Sequence, residues 1–130
     1  MPVATAPMPD HGRVNDPLWQ LLWTRYSRVI TPLRRFGLPT DIETCGGEFV
    51  IYADLPDGTH LTLASEHSLA MDPDANNGWV LSRDHRDNPT VHEVLYDSSD
   101  AGPDHTNGLD RGPLLGAVLE LLDRLGVAWC

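Results

Sequence analysis

The sequence contains no lysine, so all nine of its basic residues are arginine. We attribute this absence to a GC-rich genome rather than to a site. Cysteine is also scarce: Cys45 and Cys130 are too few for a disulfide framework. No apolar run approaches the roughly 18 residues that cross a bilayer, and the first residues lack the pattern of a secretory signal. We therefore expect a cytoplasmic protein with no membrane partner.

Motifs that carry well-defined chemistry are lacking as well. The six histidines have no zinc-site spacing. Residues 72–83 resemble a calcium loop, but Gly78 is seventh rather than sixth and Arg83 replaces the final Glu. Cys45 has no neighbouring base to activate it, and no phosphate loop, nucleophile elbow or dinucleotide fingerprint is present. We expect no catalytic residue, no cofactor and no bound metal.

The charge that is present is strongly segregated. The net charge of −10 argues against binding of nucleic acid or an anionic membrane by the whole surface. Residues 1–40 hold five Arg against two Asp, whereas residues 41–130 hold four Arg against 17 acids. The basic excess therefore falls on the first predicted helix, and the acidic excess falls on the loops of the predicted sheet.

With 130 residues, the chain is expected to form one domain. Residues 1–15 are rich in Pro, Ala and Gly and predict a disordered, mobile tail before a single α+β domain over 16–130. A helix should begin at Asp16-Pro17, with a restart at Thr31-Pro32. A second helix should run from an Asp110 cap to Gly126, and the apolar end, residues 127–130, should dock.

Between these helices we predict a four-stranded antiparallel meander, which gives a two-layer fold with helices on one face of the sheet. Asp41–Cys45 could add only a brief extended piece. In the third and fourth strands both residue parities are apolar, so their faces cannot be assigned. The four predicted strands cover residues 47–55, 59–65, 78–83 and 90–97.

Two loop lengths compete for the first hairpin. A two-residue Asp57-Gly58 loop would place Leu55 opposite His60. A type I turn with Gly58 as a left-handed bulge residue would place Leu55 opposite Thr59. The second register is favoured because it collects the apolar side chains on one face. That face comprises Phe49, Ile51, Ala53, Leu55, Leu61 and Leu63.

Two groups of side chains are candidate sites. The first is a possible partner-binding set on the first helix and the sheet: Arg25, Arg28, Arg34, Arg35, Tyr52 and Trp79. A solvated face that balances the acidic loops of this protein or of a second copy would also explain the arginines, and it is the favoured interpretation. The second is a polar cluster in the loop before the last helix: Asp97, Asp100, Asp104, His105 and Asp110. These could support acid–base chemistry or a hard cation, but they are also ordinary loop and cap residues.

Residues 78–83, 94–104 and 107–110, with the hairpin at 54–58, resemble small proteins encoded in Streptomyces and related actinobacterial genomes. This resemblance spans roughly residues 47–125 and implies an origin without implying a chemistry. In size, acidity and order of elements, the chain is also similar to type III secretion chaperones, which bind other proteins.

Three functional hypotheses follow. The leading one is a non-enzymatic protein-binding or regulatory module, of adaptor or chaperone type, whose partner is another protein or a second copy of the chain. The second is a small enzyme or metal binder that uses the acidic 97–110 loop with His92 or His105. The third is a nucleic-acid-associated regulator that docks through the arginine-rich helix.

Overall fold

One antiparallel sheet organises the fold, and each of its strands pairs with the next along the chain. The computed structural model describes residues 5–45, 48–66 and 68–127. The predicted α+β class and antiparallel meander are confirmed, but the sheet has five strands rather than four. The elements are α1 (Pro17–Arg25), α2 (Ser27–Arg35), β1 (Thr40–Cys45), β2 (Glu48–Asp54), β3 (Thr59–Ala64), β4 (Val80–His85), β5 (Asn88–Asp97) and α3 (Arg111–Arg124).

The additional strand is β1, which the sequence indicated only as a brief extended piece. It pairs with β2 from Thr40 opposite Ala53 to Cys45 opposite Glu48. Its one aliphatic residue, Ile42, is fully buried, and the neighbouring acid, Asp41, is buried as well. The strand therefore lacks the apolar–polar alternation that identifies half-buried strands in a sequence. The predicted strand start at residue 47 lies outside the described residues.

The β2–β3 hairpin has the register that the hydrophobic pattern predicts. Ile51 lies opposite Leu63, and the Leu55 N–H donates to the Thr59 carbonyl at 2.9 Å. Gly58 has a φ of +88°, as the bulge residue of a three-residue loop requires. The two-residue alternative is excluded. All six predicted inward residues are buried: Phe49, Ile51, Ala53, Leu55, Leu61 and Leu63.

A β-bulge in β5 explains why its faces could not be assigned from the sequence. Leu81 of β4 pairs with Tyr96, but the next residue, Ser82, pairs with Val94. Leu95 is therefore an extra residue, and its insertion reverses the alternation of side chains. As a result Tyr96 is buried, whereas Val94 is 53% exposed on the opposite face of the sheet.

The first helical segment begins as predicted, with the Asp16 carboxylate accepting the Leu18 N–H at 2.9 Å. The predicted restart at Thr31-Pro32 is wrong, because α2 runs through Pro32 and the break falls at Tyr26. The Tyr26 ring is buried edge-on against Phe49 and Trp79. Packing of this ring in the core, rather than proline, marks the junction between α1 and α2.

The last helix matches the prediction at both ends. The Asp110 carboxylate accepts the Gly112 N–H at 3.0 Å, and Gly126 ends the helix with a φ of +70°. Val127 packs partly buried against the core, and residues 128–130 of the predicted docking segment lie outside the described residues. The buried stripe of α3 comprises Leu114, Val118, Leu121 and Leu122.

The three helices share one apolar core with the inward side of the sheet. The other side of the sheet carries half-buried Val50, Tyr52 and Thr62, with exposed Val94. Within the described ranges, no helix combines the length and apolarity needed to span a membrane. The helices therefore pack on one face of the sheet, as predicted, and the other face is partly exposed.

The segment predicted to be a mobile tail also contacts the domain. Ala6 is buried, its N–H donates to the Arg34 carbonyl at 2.8 Å, and Arg34 Nε donates back to the Ala6 carbonyl at 3.1 Å. Residues 12–15 form a 3₁₀ turn. Where the structure describes it, this segment differs from a free tail because its backbone groups find partners on α2, which composition does not reveal.

Candidate functional site

A pocket of about 380 Å³ lies where the α1–α2 junction, the β3–β4 connection and the start of α3 meet. Its walls carry three arginines (Arg25, Arg28 and Arg111) and two aspartates (Asp72 and Asp74), with Tyr26, Val29, Pro73 and Trp79 between them. We call it the arginine pocket. Its volume lies within the range that is usual for small-ligand sites.

Tyr26 holds the β3–β4 connection against the helices. Its hydroxyl donates to the Ala70 carbonyl at 2.5 Å and accepts from Asn76 Nδ2 at 2.8 Å. The Asn76 side-chain oxygen accepts the Ala70 N–H in turn, at 2.8 Å. Burial raises the pKa of Tyr26 above its ordinary value, and the charge of Asp72 adds to this effect. The hydrogen bond from Asn76 opposes both but does not cancel them. The neutral phenol therefore acts as a structural donor at the base of the pocket.

The arginines of the pocket have few partners. One guanidinium N–H of Arg25 donates to the Met71 carbonyl at 3.0 Å. Neither Arg28 nor Arg111 makes a side-chain hydrogen bond or ion pair with any residue that the structure describes. A guanidinium has five N–H donors, so two complete forks at this pocket are available to a ligand.

The aspartates of the pocket form no ion pair with any described residue. The Asp72 carboxylate accepts the Asp74 backbone N–H at 3.0 Å and thereby starts a 3₁₀ turn over Pro73–Ala75. The Asp74 side chain has no hydrogen bond or ion pair among the described residues. Positive and negative side chains therefore share the pocket without forming salt bridges across it.

An exposed apolar surface adjoins this pocket. Leu18 and Leu21 are 42% and 39% exposed on α1, and the helical spacing places them in one stripe with Arg25. Arg25 in turn donates a hydrogen bond to the backbone carbonyl of Met71, and Met71 is 43% exposed. We call Leu18, Leu21, Arg25 and Met71 the α1 surface. It holds three of the five large apolar residues that are exposed in the described part of the chain.

The structure separates the other residues of the predicted partner-binding set. Arg34 bonds the Ala6 carbonyl and lies over the Trp23 ring, 5.8 Å from its centre, and Arg35 is exposed. Trp79 is only 3% exposed, and its indole N–H donates to the Leu109 carbonyl at 3.2 Å. Only Arg25 and Arg28 of this set are brought together with Trp79, at the arginine pocket.

Tyr52, the last member of the predicted set, belongs to a centre around a buried carboxylate. Tyr52 lies opposite Asp41 in the sheet, and its hydroxyl donates to Asp41 Oδ2 at 3.3 Å. Burial, and then the charge and hydrogen bonding of Asp41, raise the pKa of Tyr52 despite the nearby Arg13. This residue therefore takes part in internal packing more than in an open surface.

The Asp41 carboxylate is the most extensively bonded polar group described. Its side chain is 9% exposed. It accepts the Trp19 indole N–H at 3.0 Å and its neighbour's backbone N–H at 2.7 Å, and it contacts His11 Nε2 at 2.6 Å and Arg13 Nη2 at 3.3 Å. Because donors surround both oxygens, we interpret this centre as a structural clamp for the N-terminal segment.

The predicted polar site is drawn together only in part. Asp97 accepts the Ser99 N–H at 3.0 Å and Asp104 accepts the Asp97 N–H at 3.2 Å, so both carboxylates bond their own loop. His105 Nδ1 lies 3.2 Å from the Gly102 carbonyl. Asp100 is exposed and Asp110 caps α3. These contacts are those of loop and cap residues.

A carboxylate–imidazole pair on the open face was not apparent from the sequence, because the bulge concealed the register. Asp84 lies opposite His92 and hydrogen-bonds it, and the Ser82 hydroxyl donates to Asp84 at 2.9 Å. Burial opposes ionisation of Asp84, but hydrogen bonds from His92, Ser82 and Thr62 lower its pKa overall. Ser82 bonds the acid rather than the imidazole, so no nucleophile–base pair results.

No three His, Cys, Asp or Glu side chains in the described ranges form a group able to hold a metal ion. No protein-family model, curated protein or solved structure matches the chain. The function therefore has to be inferred from the site itself. The sequence indicated Arg25 and Arg28, but it did not indicate that Asp74 and Arg111 would lie beside them, because only the tertiary fold places these distant positions around one pocket.

Proposed function

We propose that this protein is a non-enzymatic protein-binding module that recognises its partner through the α1 surface. The observation that supports this proposal is that Leu18, Leu21 and Met71 are exposed, that the two leucines share a helical stripe with Arg25, and that Arg25 bonds the Met71 backbone. Contiguous exposed apolar side chains mark interaction surfaces, and arginine is enriched among the residues that carry binding energy. Apolar contacts would supply affinity here, and the charge would supply orientation.

The partner we propose is a segment of another protein that presents apolar side chains next to a carboxylate. The apolar side chains would cover Leu18 and Leu21, and the carboxylate would reach Arg25. Because the chain as a whole is acidic, an acidic segment would need a local positive charge to offset repulsion, and Arg25 supplies one on this surface. A second copy of the chain is the competing occupant.

A photo-crosslinking amino acid at position 21 or at position 94 tests the proposal in extracts of the source cell. Val94 is 53% exposed on the opposite face of the sheet, so position 94 is the matched control. We expect one protein to be crosslinked from position 21 and not from position 94. The crosslinked peptide should contain apolar residues next to Asp or Glu.

Introduction of negative charge provides the second arm. Leu18→Glu with Leu21→Glu should abolish the crosslink formed from a probe at position 71, whereas Val94→Glu should leave it intact. Since Leu18 and Leu21 are exposed, both variants should retain unfolding free energies within about 0.5 kcal/mol of the parent. Crosslinking that is equal from positions 21 and 94, or insensitive to the added charges, would rule out this surface. Light scattering that shows a dimer broken by the double variant would assign the surface to self-association.

A further inference from the structure

The arginine pocket holds opposite charges that do not neutralise each other. No arginine nitrogen of the pocket lies within 4.0 Å of an aspartate oxygen there. Arg28 and Arg111 are without described partners, and so is the Asp74 side chain. Such a gap leaves room for a molecule that carries both signs of charge. A simple anion, in contrast, would pair with the arginines but leave the two carboxylates without a partner.

The cationic side has a definite location. Arg111 is the first residue of α3, and the N-terminal end of a 14-residue helix carries positive partial charge. Arg28 faces the same pocket from α2. Guanidinium groups pair with carboxylates through two parallel hydrogen bonds, so a ligand carboxylate is favoured at this side.

The aspartates of the pocket suit an ammonium group. Asp72 and Asp74 belong to the β3–β4 connection, which the Tyr26 and Asn76 hydrogen bonds hold in place. Val29 and Pro73 add apolar groups to the lining of the same pocket. A pocket of about 380 Å³ accommodates a single amino acid with an apolar side chain.

We infer that the arginine pocket binds a free α-amino acid, with its carboxylate on Arg28 and Arg111 and its ammonium group on Asp72 and Asp74. This site is separate from the partner contact proposed above, although Arg25 borders both. A zwitterion bound here would lie next to the α1 surface, because Arg25 lines the pocket and also hydrogen-bonds the Met71 backbone.

Two matched probe series test the charge requirement by NMR titration of the full chain. One series is L-phenylalanine, 3-phenylpropionate and phenethylamine; the other is L-leucine, 4-methylpentanoate and isopentylamine. In each series the three molecules carry both charges, the negative charge alone or the positive charge alone. In at least one series the amino acid should bind about tenfold more tightly than either singly charged probe, the ratio that corresponds to one ion pair of roughly 1.4 kcal/mol.

Two double variants assign the sides of the pocket. Arg28→Gln with Arg111→Gln should weaken the amino acid and the acid about tenfold but spare the amine. Asp72→Asn with Asp74→Asn should weaken the amino acid and the amine; the amide oxygen introduced at position 72 can still accept the backbone N–H of the turn. The variant that carries both Leu18→Glu and Leu21→Glu should bind the amino acid as tightly as the parent. The partner proposal and the amino-acid proposal can therefore fail independently.

The inference is overturned if neither amino acid perturbs resonances of the pocket at about 20 mM, near the weakest binding that titration can follow. It is also overturned if the acid alone binds as tightly as the amino acid in both series, since the site would then be a plain anion site. Binding that persists unchanged in both charge variants would place the ligand elsewhere.

Discussion

The Asp41 centre and the arginine pocket both gather charged side chains from distant parts of the chain, but they differ in how these groups are satisfied. Donors surround Asp41, whose side chain is 9% exposed. At the pocket, Arg28, Arg111 and Asp74 have no described partners. A buried charge must be paired to be tolerated, whereas an exposed charge can remain free for a ligand. The first arrangement therefore stabilises the fold, and the second is suited to binding.

The largest effect should come from Asp41→Ala. The substitution leaves the Trp19 indole N–H and the Ile42 backbone N–H without their acceptor, and it releases His11. We expect a loss of roughly 2–4 kcal/mol in unfolding free energy, measured by urea denaturation. Asp74→Ala at the pocket is the matched control and should change it by less than about 0.5 kcal/mol. Similar losses in the two variants would remove the distinction between the sites.

A smaller loss of unfolding free energy is expected for Ser98→Ala. This variant tests whether the acidic 97–110 loop stabilises the fold, as the Asp41 centre does. Ser98 is 1% exposed; its hydroxyl accepts the Trp79 N–H at 2.8 Å and donates to the Gly108 carbonyl at 2.7 Å. Its removal should cost about 1–2 kcal/mol, with altered tryptophan fluorescence. Asp100 is exposed, so Asp100→Ala should leave the unfolding free energy unchanged.

If calcium or magnesium raised the melting temperature of the parent chain, the 97–110 loop would instead be a binding region, as the arginine pocket is proposed to be. Such a rise would have to disappear in Asp97→Asn with Asp104→Asn to be assigned to these carboxylates. We expect no shift, since both carboxylates already accept backbone N–H groups of their own loop.

The smallest predicted effect concerns acid stability at Asp84 on the open face. Although burial favours its neutral form, hydrogen bonds from His92, Ser82 and Thr62 hold its folded pKa below the ordinary 3.8. The stabilisation is therefore present above that value and is lost as pH falls through the lower folded pKa. Between about pH 5 and pH 3, the unfolding free energy measured in urea should fall less for Asp84→Asn than for the parent. An equal loss would show that Asp84 does not contribute.

Much of the fold was predictable where one local signal dominated. The Asp16 and Asp110 caps and the Gly58 bulge each depend on side-chain or backbone chemistry within a few residues. The burial of Ile51 and Leu63 followed from the register that this turn imposes. Predictions failed where distant packing intervened, as at β1 and at the break at Tyr26.

The candidate site was less predictable than the fold. Arg25 and Arg28 stood out because their helix lacks acids, but the sequence did not indicate which arginines would stay free. Arg34 resembles them in sequence, yet it is engaged by Ala6 and Trp23. Asp74 and Arg111 lie far from α1 along the chain, so their place beside Arg28 depends on how the β3–β4 connection and α3 pack.

Local chemistry in the chain was thus sufficient to establish the antiparallel meander, its first register and the ends of its last helix, since turns and caps act over short distances. Tertiary packing decided which charges became buried clamps and which stayed open. That outcome depends on partners far apart along the chain, as when His11 meets Asp41 across 30 positions, and no short-range pattern encodes such a meeting.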